Sequence, residues 1–188
     1  MKYIVLLRGI NVGGNKKVEM KKLKALVESL GCLNVLTYIN SGNIIFHSDK
    51  NKESVRQELE KSMKKEFGFE IQVLVKTEKE MQKIALAIPR DWHNDIEQKT
   101  DVAYLFADVD TRKIIDELPI KKEFVDMRYV KGAIFWNVKR KNYNKSHLNK
   151  IISHEAYKSM TVRNVNTARY LADCKATMIL KDEIEKMQ

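Results

Sequence analysis

Tyr3, Ile4, Val5, Leu6 and Leu7 form an apolar run that stops at Arg8. A short apolar run bounded by a polar loop predicts a buried strand. Leu23, Leu26, Val27 and Leu30 recur at i, i+3, i+4 and i+7, the spacing of one helix face, and Gly31 ends that helix. Residues 35–39 and 44–47 read as short strands joined by the turn Asn40-Ser41-Gly42-Asn43. Val55, Leu59 and Met63 mark a helix over 52–67 closed by Gly68, and residues 70–76 alternate as a strand. The order β-α-β-β-α-β is the split βαβ, ferredoxin-like arrangement: four antiparallel strands with both helices on one face.

The pattern continues with a capping box, Thr77-Glu78-Lys79-Glu80, ahead of Met81, Ile84, Ala85 and Ile88 at helix spacing, and Pro89 stops that helix. Residues 90–99 are polar and irregular, which places a junction there and divides the chain into residues 1–92 and 93–188. Beyond it, residues 102–107 read as a strand. Asp110 can cap a short helix ending before Pro119, and residues 124–130 and 133–138 read as a hairpin around Lys131-Gly132. Asn144 or Ser146 can cap a helix carrying Leu148, Ile151 and Ile152. Asn166 or Thr167 can start a last helix with Leu171, Cys174 and Met178. The fold class expected is α+β: a ferredoxin-like N-terminal subdomain, then a second, smaller α/β subdomain built as β-α-β-β followed by helices.

The segment between the first strand and the first helix, residues 8–17, carries the most chemistry. Gly9, Gly13 and Gly14 let a ligand approach the backbone, and Arg8, Lys16 and Lys17 supply positive charge. A strand that ends in such a loop and then opens a helix directs N–H groups at one spot, where an anion is the natural ligand. The glycines fall at the first, fifth and sixth positions, unlike the GxGxxG spacing, and Gly14 is followed by Asn15 and Lys16 rather than by the Lys-Ser/Thr of a Walker loop. A wide turn using glycine only for positive φ is the alternative. In the split βαβ order the first and third strands are adjacent and antiparallel. Asn40, Ser41 and Asn43 are therefore expected beside Arg8, where with Asn11 they would orient a ligand.

Net charge is +10, with hydrophobic content of 44% fitting a globular chain with a real core. Residues 8–24 hold six basic residues against Glu19 alone. Residues 127–154 contain no acid but hold Arg128, Lys131, Lys139, Arg140, Lys141, Lys145 and Lys150. Tyr129, Phe135, Trp136 and Tyr143 interleave with them, the composition of a surface that stacks bases, although aromatics in a hairpin also build cores. The first sheet offers only Tyr3 and Phe46 on its central strands and no RNP motif. No apolar run reaches the roughly 20 residues of a membrane helix, and no leader is legible at the N-terminus, so a cytoplasmic protein without a membrane partner is expected. Cys32 and Cys174 sit among helix-patterned residues and are expected reduced. His47, His93, His147 and His154 have no metal-ligand spacing. His147 and His154 share a predicted helix face without further ligands, and no metal site is expected. The serine turn lacks the G-x-S-x-G context of a nucleophile, and no carboxylate pair stands out.

Leu6-Leu7-Arg8-Gly9-Ile10-Asn11-Val12-Gly13-Gly14 and Thr37-Tyr38-Ile39-Asn40-Ser41-Gly42-Asn43-Ile44-Ile45-Phe46 resemble the bacterial family known as domain of unknown function 1697. Lys145-Ser146-His147-Leu148 and Thr161-Val162-Arg163-Asn164-Val165-Asn166-Thr167 resemble its later Ser-Lys-Leu and Arg-Asn-Trp-Asn-Thr segments. Val165 stands where the family usually has tryptophan, and Asn142-Tyr143-Asn144 replaces a glycine-containing loop. The resemblance implies two α/β subdomains, the first ferredoxin-like, and brings no established activity, cofactor or catalytic residue. It adds Arg163, Asn164, Asn166 and Thr167 to the candidate binding residues. The leading expectation is an anionic, phosphate-bearing small ligand held at the Arg8 loop between subdomains, with Arg163 closing from the other side. The second is a nucleic-acid module using residues 128–150. The sequence assigns no reaction, cofactor or oligomeric state.

Overall fold

The computed structural model describes residues 1–14 and 16–172. The chain divides into two compact units, Met1–Glu80 and the remainder from Met81. In the first unit, β1 (Lys2–Leu7), α1 (Met20–Ser29), β2 (Leu33–Tyr38), β3 (Asn43–His47), α2 (Lys52–Phe67) and β4 (Val73–Thr77) follow the predicted order. The sheet runs β2-β3-β1-β4, antiparallel throughout, with β1 in the interior. Alternate residues of β1 (Tyr3, Val5, Leu7) join Phe46, Val73 and Val75 in a core with Leu23 and Val27 of α1 and Leu59 and Met63 of α2. Truncating one such side chain, Leu59→Ala for example, would cost about 2–5 kcal/mol. The Asn51 side chain caps α2 by accepting from Ser54 N at 2.9 Å, and Gly68 closes it with φ 79°. Both ends thus use the chemistry the helix termini require.

The capping box opens α3 (Glu78–Ala87): Thr77 N donates to Glu80 Oε2 at 2.7 Å, and Glu80 N donates to Thr77 Oγ1 at 3.3 Å. The second unit continues with β5 (Gln98–Leu105), the short α4 (Ile114–Glu117), β6 (Val125–Val130), β7 (Ala133–Lys139), β8 (Met160–Asn164) and α5, described over Val165–Ala172. Its sheet order, β6-β7-β5-β8, is the same second-third-first-fourth order as in the first unit. The α+β class with two subdomains holds, and the second is also a four-stranded split βαβ sheet.

Four expectations for the second unit change, the first at Asp110, which does not cap α4 but accepts from Gly132 N at 2.8 Å and pairs with Lys131, while α4 follows Lys113 without a side-chain capping bond. The helix expected around Leu148, Ile151 and Ile152 is a 3₁₀ turn over Leu148–Ser153, followed by another over Glu155–Ser159. Three residues per turn bring Leu148 and Ile151 into the core and leave Ile152 65% exposed. His147, with φ 62°, precedes the first turn, and His154 caps the second through Nδ1, so the two share no helix face. β8 was not expected, because Thr161 and Arg163 are buried positions filled by polar residues and break the apolar alternation. Cys174 and Met178 of the expected last helix lie outside the described residues. That helix starts at Val165, directly after its cap Asn164, whose Oδ1 accepts from Thr167 N at 2.9 Å, rather than at Asn166 or Thr167.

Candidate functional site

The Arg8 loop leaves β1 where Arg8 N still donates to Gln72 O at 3.0 Å and Leu7 N to Gly42 O at 2.8 Å. It then takes left-handed backbone at Gly9 (φ 65°), Asn11 (55°), Gly13 (59°), Gly14 (79°) and Lys16 (48°). Such density of positive φ explains the glycines and the asparagine, the residues that enter this region most cheaply. Asn11 holds the loop closed. Its Nδ2 donates to Val18 O at 3.0 Å and to Asn40 O at 2.8 Å, its Oδ1 accepts from Val18 N at 2.8 Å, and its own N donates to Lys16 O at 3.2 Å.

The structure therefore brings the loop and the β2–β3 turn together, as the strand order required. Asn40 meets the loop through its carbonyl. Asn43 is wholly buried, and its Nδ2 donates to Tyr38 O at 2.8 Å and Ser41 Oγ at 3.1 Å, so its amide braces the turn from inside. Gly9, Gly13, Gly14, Lys16 and Lys17 are exposed. Lys16 Nζ donates to Glu70 O at 3.3 Å and lies 6.0 Å from the Phe69 ring centre. A cleft of about 430 Å³ lies against the loop, lined by Asn11, Gly14, Lys17, Val18, Glu19, Met20 and Asn40. Val18, Glu19 and Met20 were not legible as site residues. Val18 alone carried a signal, an isolated apolar residue between Lys17 and Glu19. Glu19 precedes α1 without a side-chain capping bond, and its carboxylate offsets the positive end of that helix.

The other candidates belong to the second unit. Arg163 is 7% exposed, and its Nη1 donates to Thr161 Oγ1 at 2.9 Å and Val162 O at 2.8 Å. Burial brings its pKa down to about 10, opposed by Tyr104 and Tyr157, which leaves it charged at neutral pH. Asn164 caps α5, Thr167 is buried and Asn166 is exposed. In the basic segment, Arg128 donates to Asp126 Oδ2 at 3.3 Å and lies 5.0 Å from the Trp92 ring centre. Lys131 pairs with Asp110 at 2.9 Å, and Arg140 bonds Asp95 O through Nε and Asn94 Oδ1 through Nη2 at 3.2 Å. Lys139, Lys141, Lys145 and Lys150 are exposed; the first two and Arg140 line a cleft of about 530 Å³ with Trp92, Asp91 and Glu97. Phe135 and Trp136 are core residues and present no face for stacking. Tyr3 and Phe46 are likewise buried, their ring centres 6.1 Å apart. Cys32 is a buried free thiol whose pKa is pushed up by burial. Among the described residues no cluster of His, Cys, Asp and Glu has the arrangement of a metal site, and no helix is long and apolar enough to cross a membrane.

Residues 1–136, which include the whole Arg8 loop and the Asn40 turn, match the family described as "Protein of unknown function (DUF1697)". The chain belongs to this family. A structure of the conserved bacterial protein SP0830 from Streptococcus pneumoniae is similar to this DUF1697 chain, with a TM-score of 0.78 and 28% identity over 91% of this chain and 96% of that one. No curated protein matches the sequence. The DUF1697 match ends within β7, so Arg163, Asn164, Asn166 and Thr167 lie beyond it.

Proposed function

We propose that this DUF1697 chain binds a small anionic ligand, phosphate-bearing or carboxylate, in the cleft beside the Arg8 loop. The observation that carries the reading is the Asn11-braced, uncovered backbone of the loop. Asn11 ties it at both ends, while the positions a Cβ would take at Gly9, Gly13 and Gly14 have nothing within 4 Å. The helix-closing Gly31 and Gly68 are equally open, so what sets the loop apart is three such glycines within six positions, beside Lys16 and Lys17. Lys16 and Lys17 add charge at the same edge, and preorganised backbone lowers the ordering cost of binding. Glu19 works against an anion, which places the favoured contacts at Lys17 and the loop backbone rather than at the first turn of α1.

Thermal shift with inorganic phosphate, nucleotides, phosphosugars and short polynucleotides tests this, because a ligand that binds only the folded state raises the melting temperature. The expected result is a shift with one small anion that falls in Arg8→Ala and Lys17→Ala and grows in Glu19→Gln. A shift that all three variants leave unchanged overturns the reading. The nucleic-acid reading has less support, since Phe135 and Trp136 are in the core and Arg128, Lys131 and Arg140 already have partners. It predicts shifts confined to polynucleotides that vanish with added salt.

A further inference from the structure

We infer that β6 is a self-pairing edge, which joins antiparallel to β6 of a second copy of this chain about a twofold axis at Met127. β6 is the outer strand of its sheet. Leu105 N donates to Gly132 O and Arg140 N donates to Glu97 O, which fixes Ile134, Trp136 and Val138 as the β7 residues bonded to β5. Backbone groups alternate sides along a strand, so Ala133, Phe135 and Asn137 bond β6 at Val130, Arg128 and Asp126. The N–H and C=O groups of Val125, Met127 and Tyr129 therefore face outward. Among the described residues those of Met127 and Tyr129 meet no backbone partner outside the sheet, and Val125 N makes only a 3.4 Å turn bond to Lys122 O.

The corresponding outer strand of the first unit is built differently. β2 is interrupted by a register shift between Leu33 and Leu36, with Asn34 at φ 54°, a bulge of the kind that blunts an edge. β6 keeps one register with β7 over its full length and holds no proline or lysine.

Charge selects the occupant and the register. Asp126 and Arg128 are exposed on the same face of β6, where they pair with each other at 3.3 Å within one chain, and a second copy would bring a further opposite charge to each. With the axis at Met127, Asp126 of one copy faces Arg128 of the second copy, and Arg128 faces Asp126, while all outward backbone groups from Val125 to Tyr129 pair. Beyond the strand ends the same register sets Glu123 against Lys131. An axis at Asp126 or at Arg128 would set that charge against itself, and one at Val125 or Tyr129 would shorten the overlap. Opposite charges directly across a ladder stabilise it and like charges destabilise it. The two sheets would then be continuous as eight strands.

Sedimentation velocity and light scattering of the full chain over a concentration series test this, with Asp126→Arg, Arg128→Asp and the double variant. The wild type is expected to be a dimer. Each single variant sets like charges face to face and should weaken self-association about tenfold or more. The double variant restores the opposite pairing and should dimerise. An equimolar mixture of the two single variants should form the heterodimer that neither forms with itself. Asp126→Arg keeps the Arg128–Trp92 contact, and the unfolding midpoint of each variant checks its fold. A wild type that is monomeric at about 200 µM, single variants that remain dimeric, or a mixture that does not pair would each overturn the inference.

Discussion

Two glycine-bearing turns meet at one end of the first sheet, and only one of them needs glycine for packing as well as for backbone. A Cβ on Gly42, where φ is 76°, would lie 2.6 Å from Ile10 Cδ1 and 2.8 Å from Leu7 Cβ. Gly13 and Gly14 share the left-handed backbone, at 59° and 79°, but a Cβ there would meet nothing within 4 Å. Packing and backbone both demand glycine in the β2–β3 turn, whereas the loop demands it by backbone alone. The difference separates a turn that holds the fold from a loop that keeps space free above its peptide groups, and Asn11 connects the two.

Substitutions can break this comparison. Gly42→Ala combines left-handed strain with a core clash and is expected to cost about 3 kcal/mol, read as a fall in the denaturant midpoint. An unchanged midpoint would mean that the crowding relaxes freely. Asn11→Ala removes three side-chain bonds, two that close the loop on Val18 and one to Asn40 of the turn, and should cost about 2 kcal/mol in the same measurement while weakening any loop ligand. Gly13→Ala meets no clash, so only the left-handed penalty applies, about 1 kcal/mol; its larger effect should be on ligand affinity, measured by titration. If Gly13→Ala destabilised as much as Gly42→Ala, the loop would be a structural turn.

Asp101 on β5 lies in neither turn and gives the smallest expected effect. Burial pushes its carboxyl above the usual 3.8, with Lys99 opposing. A raised carboxylate pKa favours the folded state below the ordinary value and loses that contribution as pH rises through the raised one. Asp101→Asn should therefore raise the melting temperature near pH 7 and leave it unchanged near pH 3. A gain that persisted at low pH would place its cause outside the ionisation.

The first unit was legible because its signals agree. The run 3–7, the 3.6-residue spacing of Leu23 and Val27, and Gly31 and Gly68 as stops point to one strand order, and that order placed Asn40 beside the loop. The second unit hid its last strand because a buried arginine and threonine occupy positions where periodicity looks for apolar residues. At the site the charged and glycine positions were visible. Three features left no trace in the sequence: the inward amide of Asn43, the bonds between Asn11 and Val18, and Glu19 lining the cleft. Side-chain direction at a polar residue is set by its neighbours in space, and spacing along the chain carries no record of it.

The interior position of β1 also constrains how the protein is made. β1 is synthesised before both strands that flank it, β3 and β4. All five residues from Tyr3 to Leu7 are buried in the finished unit. During translation that segment has no ladder to join until Asn43–His47 emerges, and its second side stays open until Val73–Thr77 follows. The nascent chain thus carries an unsheltered apolar strand through most of the synthesis of the first unit, the interval in which chaperone capture or aggregation competes with folding.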